Sequence, residues 1–230
     1  MVFIPIVLLA FILYYIITNH IHVDWKSFFK KGFQKNDNFF GVYCYSGKQG
    51  TGKTYSAIKF IIDMKLKYNY KIITNVKSFK VFKDTIYMSD IIQIIEFIEG
   101  LPIEEQSNYL IFFDEIFTIL ERGTKMNARI LPFLSQLRKR GIIFVTTAQE
   151  WRLINIEFRL YVRFQISCNM YAFPIGHIAL LKNKINDGTS IKWDDQEQDF
   201  VAETVQTNFS KGNLAIIQSY DTFETIETKK

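Results

Sequence analysis

Eight residues in the first quarter of the chain have the types and the spacing of a phosphate-binding loop. Residues 47–54 read GKQGTGKT, which matches the pattern G-x-x-x-x-G-K-[ST]. In such a loop, backbone N–H groups surround phosphate oxygens, the lysine reaches the β- and γ-phosphates, and the last hydroxyl binds Mg²⁺. We therefore predict that Lys53 is catalytic, that Thr54 holds Mg²⁺, and that ATP is bound by Gly47, Lys48, Gln49, Gly50, Thr51, Gly52, Lys53, Thr54 and Tyr55.

The sequence on both sides of the loop fits the structure that such a loop requires. Residues 40–46 form an apolar, β-prone run, and residues 55–64 place apolar side chains at helical spacing. A strand is therefore expected before the loop, and after it a helix whose N-terminal dipole favours anions. The alternative is a glycine-rich turn with a chance Lys-Thr pair, which would not need a strand and a helix on these sides.

A second group of polar residues ends another apolar run. Residues 109–115 read YLIFFDE, and continuous apolar runs are typical of parallel strands that are buried on both faces. In P-loop enzymes an acid at the end of such a strand holds Mg²⁺, which predicts this role for Asp114. Glu115 is then placed to polarise the attacking water as a general base. Alternatively, both acids only favour a helix start, but the phosphate loop upstream favours the catalytic interpretation.

Strands and helices alternate along the chain, which predicts an α/β P-loop NTPase fold with a mostly parallel sheet sandwiched by helices. We expect further strands at 71–76, 85–88, 142–148 and 163–172, helices at 89–98 and 125–140, and one last strand at 213–219. The ATPase domain is expected at 37–185, followed by a C-terminal tail, 186–230, that adds a strand to it.

Composition limits the class of protein only loosely. The net charge of +5 is compatible with nucleic acid or an acidic membrane as a partner, but it demands neither. Cys44 and Cys168 lie in apolar, strand-like runs without the C-x-x-C spacing of a metal site. Two buried thiols are what we expect in a reducing cytosol.

The N-terminal segment is uncharged over a length that can cross a membrane. Residues 2–18 carry no charge, and a spanning helix needs about 17 to 20 apolar residues. Lysines follow at positions 26, 30, 31 and 35, and lysine-rich flanks stay in the cytoplasm. We therefore expect residues 1–36 to form one transmembrane helix and a basic juxtamembrane segment, with the N-terminus outside and the ATPase domain cytoplasmic. A buried core helix is the alternative.

Several polar side chains near the strand at 142–148 have more than one interpretation. Gln149 follows this strand and is either a γ-phosphate sensor or water-orienting amide, or a helix-capping or surface glutamine. Arg138 and Arg140 precede it and could be arginine fingers for a neighbouring subunit, DNA contacts, or a solvated helix end. Spacing alone favours the solvated helix end. Arg159 and Arg163 are open to the same alternatives.

Taken together, these residues resemble the zonular occludens toxin (Zot)-like branch of the FtsK–HerA ATPases over roughly residues 37–170. Zot-like proteins carry their membrane span after the ATPase domain, whereas the apolar segment here precedes it. That departure leaves genome packaging or another membrane-tethered DNA motor open beside filamentous-phage assembly. The resemblance is carried by the loop at 47–54, the Thr74-Asn75 pair, the Phe113-Asp114-Glu115 triplet, and the arginines at 138 and 140 before the strand that ends in Gln149.

The resemblance implies ATP hydrolysis coupled to moving or extruding DNA, through a homo-oligomeric ring of subunits. It implies that Gln149 is a sensor and that Arg138 or Arg140 is the finger, with Arg159 in reserve. The expected partners are DNA of a phage or plasmid, a host or virion membrane, and other phage assembly or capsid proteins. The alternative is a nucleotide-gated membrane scaffold for a secretion or morphogenesis complex that translocates no DNA. A small-molecule kinase is disfavoured, since no arginine-rich lid insertion is evident.

Overall fold

The computed structural model describes residues 10–11, 14–15, 18, 21–23, 40–79, 81–123, 125–173, 178–194 and 199–221. Its strands are β1 (Ile21–Val23), β2 (Gly41–Ser46), β3 (Lys71–Thr74), β4 (Ile86–Tyr87), β5 (Tyr109–Phe113), β6 (Ile143–Ala148), β7 (Val162–Phe173), β8 (Ile178–Asp194) and β9 (Asp199–Lys211). From residue 40 onward its helices are α1 (Lys53–Tyr68), α2 (Ile91–Glu99), α3 (Ile103–Gln106), α4 (Ile130–Arg140), α5 (Ile156–Arg159) and α6 (Leu214–Ile217).

These strands form one sheet in the order β1-β9-β8-β7-β2-β6-β5-β3-β4. The half of the sheet from β7 to β4 is parallel. Every residue of β2, β5 and β6 is buried, which fits their largely apolar sequences. Because parallel strands end at one edge, β2, β5 and β6 bring Gly47, Asp114 and Gln149 to the same edge. The sheet therefore confirms the predicted α/β class.

Helices cover both faces of the parallel half. Leu110 and Phe112 of β5 pack into the core layer under α1, while Ile111 and Phe113 pack into the layer under α2 and α4. Each such side chain contributes about 1.5 to 3 kcal/mol through the apolar area that it buries. The two cysteines are buried on opposite faces of the sheet. This two-sided burial holds the strand ends in fixed positions.

The other half of the sheet is an antiparallel extension made of β7, β8 and β9. β7 pairs in parallel with β2 as far as Ser46–Ser167, and its other edge pairs with β8, antiparallel, from Phe164 to Phe173. β9 pairs with β8, and β1 closes the outer edge parallel to β9. The expected division at residues 185 and 186 therefore falls inside β8. The tail was expected to add one strand, but all of β9 and the second half of β8 belong to the sheet.

Two other expectations differ from the structure in instructive ways. The helix expected at 125–140 begins only at Ile130, because the Asn127 side chain accepts the Arg129 N–H at 3.0 Å and holds the preceding residues in a turn. The strand expected at 213–219 is wrong. This segment contains the short helix α6, and Asn213 caps it by accepting the Ala215 N–H at 2.9 Å.

The predicted transmembrane segment at 2–18 lies largely outside the described residues. Its described members are helical and exposed; they are Ala10, Phe11, Tyr14, Tyr15 and Thr18. Phe11 is 71% exposed and Tyr14 67%, so these apolar side chains do not pack into the core as the alternative of a buried helix requires. Among the described residues, no helix combines the length and the apolar character that crossing a membrane takes.

Candidate nucleotide site

The phosphate loop connects the central strand β2 to the N-terminus of α1, as its pattern predicts. The Gly47 N–H donates to the Ala148 carbonyl at 3.2 Å, which fixes the start of the loop to the end of β6. Inside the loop, the Thr51 hydroxyl donates to the Lys48 carbonyl at 2.7 Å. Lys48, Gln49 and Gly50 are exposed, so their backbone N–H groups are accessible to an incoming phosphate.

Two glycines of the loop are required by their close neighbours. A Cβ atom at Gly47 would lie 2.8 Å from the Cys168 carbonyl oxygen of β7. Gly52 has a φ of 79°, and a Cβ there would lie 3.0 Å from Leu181 of β8. Side chains at these positions would push the loop away from the antiparallel extension, so the glycines set how closely the loop packs against β7 and β8.

The three residues that follow the glycines have different surroundings. Lys53 is 8% exposed and Thr54 is half-buried, at the first turn of α1. Tyr55 is buried, and its hydroxyl accepts the Asn213 N–H at 2.7 Å. The Tyr55 side chain thus anchors the C-terminal segment, and only its backbone N–H remains for the predicted nucleotide contact.

Asp114 is held at the end of β5 by two side chains from neighbouring strands. The Asn75 amide brackets its backbone: it accepts the Asp114 N–H at 2.8 Å and donates to the Asp114 carbonyl at 3.1 Å. The Thr147 hydroxyl donates to Asp114 Oδ1 and accepts the Glu115 N–H at 2.9 Å. Asn75 and Thr147 were not predicted as site residues. Their signal in the sequence was a polar residue at the end of an apolar strand.

The electrostatics of Asp114 suit a cation ligand. The pKa of Asp114 is raised to about 6: burial raises it most, the Thr147 hydrogen bond lowers it, the neighbouring Glu115 carboxylate raises it, and the Lys53 ammonium lowers it. Nearby cations favour the ionised form of a buried carboxylate. Carboxylate and hydroxyl oxygens are also the hard ligands that Mg²⁺ prefers. Asp114 and Thr54 therefore fit the predicted Mg²⁺ site.

Glu115 and Gln149 meet at the same edge. Gln149 Nε2 lies 3.5 Å from Glu115 Oε1. The Glu115 backbone is left-handed, with φ of 54° and ψ of 54°, a conformation that costs a residue other than glycine about 1 kcal/mol or more. The strained residue is the one predicted to be the general base, and it lies where the chain turns sharply out of β5. The structure thus brings Gln149 next to Glu115, as a role in orienting water requires.

The predicted finger residues lie at the opposite edge of the sheet. Arg138 and Arg140 end α4, before β6, whose six residues separate them from the loop of the same chain by about 20 Å. Arg140 pairs with Glu99 at 3.5 Å, bonds to Gln136 and lies over the Phe133 ring. Arg138 is exposed. Of the two, Arg138 is therefore the better candidate to reach a neighbouring subunit.

Arg159 and Arg163 have structural surroundings. Arg159 is 1% exposed and lies over the Trp151 ring, so as folded it cannot extend across an interface. This corrects its expected place as the reserve finger. Arg163 is half-buried, donates to the Phe40 carbonyl at 2.9 Å and lies over the Phe164 ring. Arg159 thus packs against Trp151, and Arg163 joins the start of β7 to the residue before β2.

The fold and this site define a P-loop ATPase. A family model described as zonular occludens toxin (Zot) matches residues 41–178, more than half of the chain, and the chain belongs to this family. No curated protein sequence matches it.

Two solved structures share the fold. The first is the N-terminal domain of zonular occludens toxin from Neisseria meningitidis, with 16% identity and a TM-score of 0.50, over 79% of this chain and 98% of that one. The second is the genome packaging NTPase B204 from Sulfolobus turreted icosahedral virus 2 in complex with ATP-gammaS, with 14% identity and a TM-score of 0.50. It covers 72% of this chain and 97% of that one.

Proposed function

We propose that this protein is a membrane-anchored ATPase motor that moves phage or plasmid DNA during packaging, extrusion or virion assembly. The observation that carries the proposal is the meeting of four predicted groups at one edge of the sheet: the phosphate loop, Asp114, Glu115 and Gln149. A site with a metal-binding acid and a second, adjacent acid suits transfer of a phosphoryl group to water.

The roles of the residues follow from their positions. Lys53 and the N–H groups of the loop hold the β- and γ-phosphates, and Thr54 with Asp114 would hold Mg²⁺. When bound, Mg²⁺ neutralises charge on the phosphate oxygens. Glu115 accepts a proton from the attacking water, and Gln149 Nε2 holds the Glu115 carboxylate and the water in line. Asn75 and Thr147 keep Asp114 and Glu115 in place from the neighbouring strands.

DNA as the moved polymer is supported by relationship rather than by the nucleotide site. The Zot-like branch that the sequence resembles includes phage assembly ATPases, and the chain belongs to the Zot family. B204, which shares the fold, is a genome packaging NTPase. Membrane anchoring is supported by the uncharged residues 2–18 and by the exposure of their described apolar side chains. Mg²⁺, the ring of subunits and the cytoplasmic orientation belong to the same proposal.

ATP turnover of the full-length chain, measured in a nonionic detergent with and without DNA, tests the motor directly. A motor should turn over ATP slowly alone and faster with DNA, and it should sediment as an oligomer when nucleotide is present. Turnover that DNA leaves unchanged, with ATP still controlling assembly, would instead identify the nucleotide-gated scaffold. Extraction of cell membranes with alkaline carbonate tests the anchor, because a spanning chain stays in the pellet whereas a peripheral one is released.

A further inference from the structure

The outward side of the antiparallel extension carries a surface that the nucleotide site does not use. Paired residues of an antiparallel sheet share a face, and the register places Asn169 and Tyr171 of β7 beside Lys182 and Leu180 of β8. The same face continues onto β9 through the pairs of β8 with Phe209 and Lys211. We call this surface the lysine face; its members are Asn169, Tyr171, Lys182, Lys184, Phe209 and Lys211.

The lysine face is positively charged and open. Lys184, Lys211 and Asn169 are exposed, Tyr171 is 49% exposed, and the Lys182 ammonium lies 5.9 Å from the centre of the Phe209 ring. On this side of residues 165–171, 180–186 and 207–211 there is no Asp or Glu. Three ammonium groups on a side of these strand segments that carries no carboxylate attract a polyanion rather than a mixed-charge protein surface.

The opposite side of the same two strands touches the phosphate loop. Met170 and Leu181 lie against Gly52, and the Cys168 carbonyl lies against Gly47. Below the lysines, a buried chain of hydrogen bonds joins the extension to the strand that feeds the loop: Gln165 donates to Ser46 at 2.9 Å and accepts from Asn186. A ligand on the lysine face would therefore lie one layer of strands away from the bound nucleotide.

We propose that the lysine face binds the sugar–phosphate backbone of nucleic acid, and this inference rests on the proposed function as a DNA motor. Ammonium groups on alternate residues of β8, about 6.7 Å apart, can each neutralise a phosphate. Tyr171 and Phe209 supply aromatic rings of the kind on which bases stack. The contacts carry no base-specific pattern, so the face takes nucleic acid without regard to sequence, as a motor moving a whole genome needs.

The test compares two triple variants of the full-length chain in nonionic detergent. The first replaces the lysine face, Lys182→Gln/Lys184→Gln/Lys211→Gln. The control makes the same charge change at exposed lysines near the opposite edge of the sheet and in a loop, Lys67→Gln/Lys71→Gln/Lys83→Gln. Binding to fluorescent single- and double-stranded DNA is measured by anisotropy from 50 to about 300 mM salt, and thermal unfolding and DNA-free ATP turnover check that both variants fold.

Each lost phosphate contact removes about 0.7 to 0.9 from the slope of log K against log salt. The lysine-face variant should therefore bind DNA at least ~10-fold more weakly at 0.1 M salt, with a slope shallower by about 2 to 3, while the control keeps the slope of the unsubstituted chain apart from a small general charge effect. Equal losses in both variants would overturn the inference, since net charge alone would then explain binding.

Failure of the proposed function looks different. If the unsubstituted chain neither binds DNA nor changes its turnover with DNA, the motor itself is wrong and the lysine face falls with it. If the unsubstituted chain responds to DNA but the lysine-face variant keeps its affinity and slope, only the lysine face is overturned. A variant that keeps DNA binding but no longer sediments with vesicles containing phosphatidylserine would also overturn it, by identifying a lipid surface as the ligand.

Discussion

β5 and β8 belong to the same sheet, yet they place functional groups in different ways. β5 is five buried residues in a row, so its only position for chemistry is its end, where Asp114 and Glu115 emerge. β8 has one side against α1 and one side open, so its polar groups lie along its length. The comparison shows that the parallel half concentrates reactive groups at one edge, whereas the antiparallel extension spreads binding groups over a face.

The comparison has a measurable consequence. Changes in the parallel half should alter ATP turnover whether or not DNA is present. Changes in the antiparallel extension should alter only the response to DNA. Variants in the two halves should therefore separate these two effects.

Substitution of Arg138 tests whether the nucleotide site needs an arginine from a neighbouring subunit. Arg138→Ala should bind ATP but lose about 10³- to 10⁵-fold in turnover, because the finger would no longer neutralise charge on the γ-phosphate of the neighbouring subunit. Arg140→Ala is the matched control, since its contacts with Glu99 and Gln136 are internal. Mixing Arg138→Ala with Lys53→Ala should restore some activity, because one chain supplies the finger and the other the loop. No recovery at any ratio of assembled proteins would return Arg138 to the role of a solvated helix end.

Glu115→Gln isolates the proposed base. The substitution keeps the shape of the side chain and its contact with Gln149, so ATP should bind with unchanged affinity while turnover falls about 10²- to 10⁴-fold. Single-turnover hydrolysis and fluorescent-nucleotide binding measure the two quantities separately. Glu121→Gln, an exposed acid farther along the same chain, serves as the control. Normal turnover in Glu115→Gln would remove the base from the mechanism.

Gln165→Leu tests whether the extension communicates with the loop. It removes the hydrogen bonds to Ser46 and Asn186 at nearly constant volume. DNA affinity and DNA-free turnover should stay within about twofold, because neither the lysine face nor the catalytic groups change, while stimulation of turnover by DNA should shrink severalfold. Gln165→Glu, which can still accept from Asn186, should keep part of the stimulation. A fall in DNA-free turnover as large as that of the catalytic variants would break the division between the two halves.

Asp114→Asn should stabilise the protein in the absence of nucleotide and metal. The folded carboxyl has a raised pKa, about 6 against the ordinary 3.8, so the folded state binds more protons than the unfolded state between these values. The free energy of unfolding therefore falls as pH rises from about 4 to 6. Above pH 6 the Asp114 carboxyl is ionised in the folded state, and the loss of stability is complete. With EDTA at pH 8, the variant should gain about 1 to 3 kcal/mol, or several degrees in Tm, and the gain should nearly vanish at pH 4. The same gain at both pH values would exclude ionisation of Asp114 as its cause.

The structure of the parallel half could be predicted from the sequence to a greater extent than that of the antiparallel extension. The loop and the acids of β5 were predictable because short motifs fix both residue type and strand position. The strands β8 and β9 were missed because their polar alternation resembles that of a loop, and because β9 pairs with β8 and β1 rather than with the parallel half. The helix α6 was mistaken for a strand because it is a short apolar run, Leu214–Ile217, whose type periodicity cannot decide. Arg159 was expected to be accessible as a reserve finger, but it is buried, because burial depends on packing by residues distant in sequence.

The nucleotide site is written in local sequence: the spacing of Gly47, Gly52, Lys53 and Thr54 dictates a backbone that can enclose phosphate, and an apolar strand must end before Asp114. Which other groups meet at this site depends on the folded sheet. Asn75 follows β3, whereas Thr147 and Gln149 lie at the end of β6. The parallel order of β3, β5 and β6 brings both strand ends next to Asp114 and Glu115. The lysine face likewise exists only because antiparallel pairing places alternate residues of β7, β8 and β9 on one side. Motifs are local in the chain, whereas a shared edge or a shared face depends on long-range pairing.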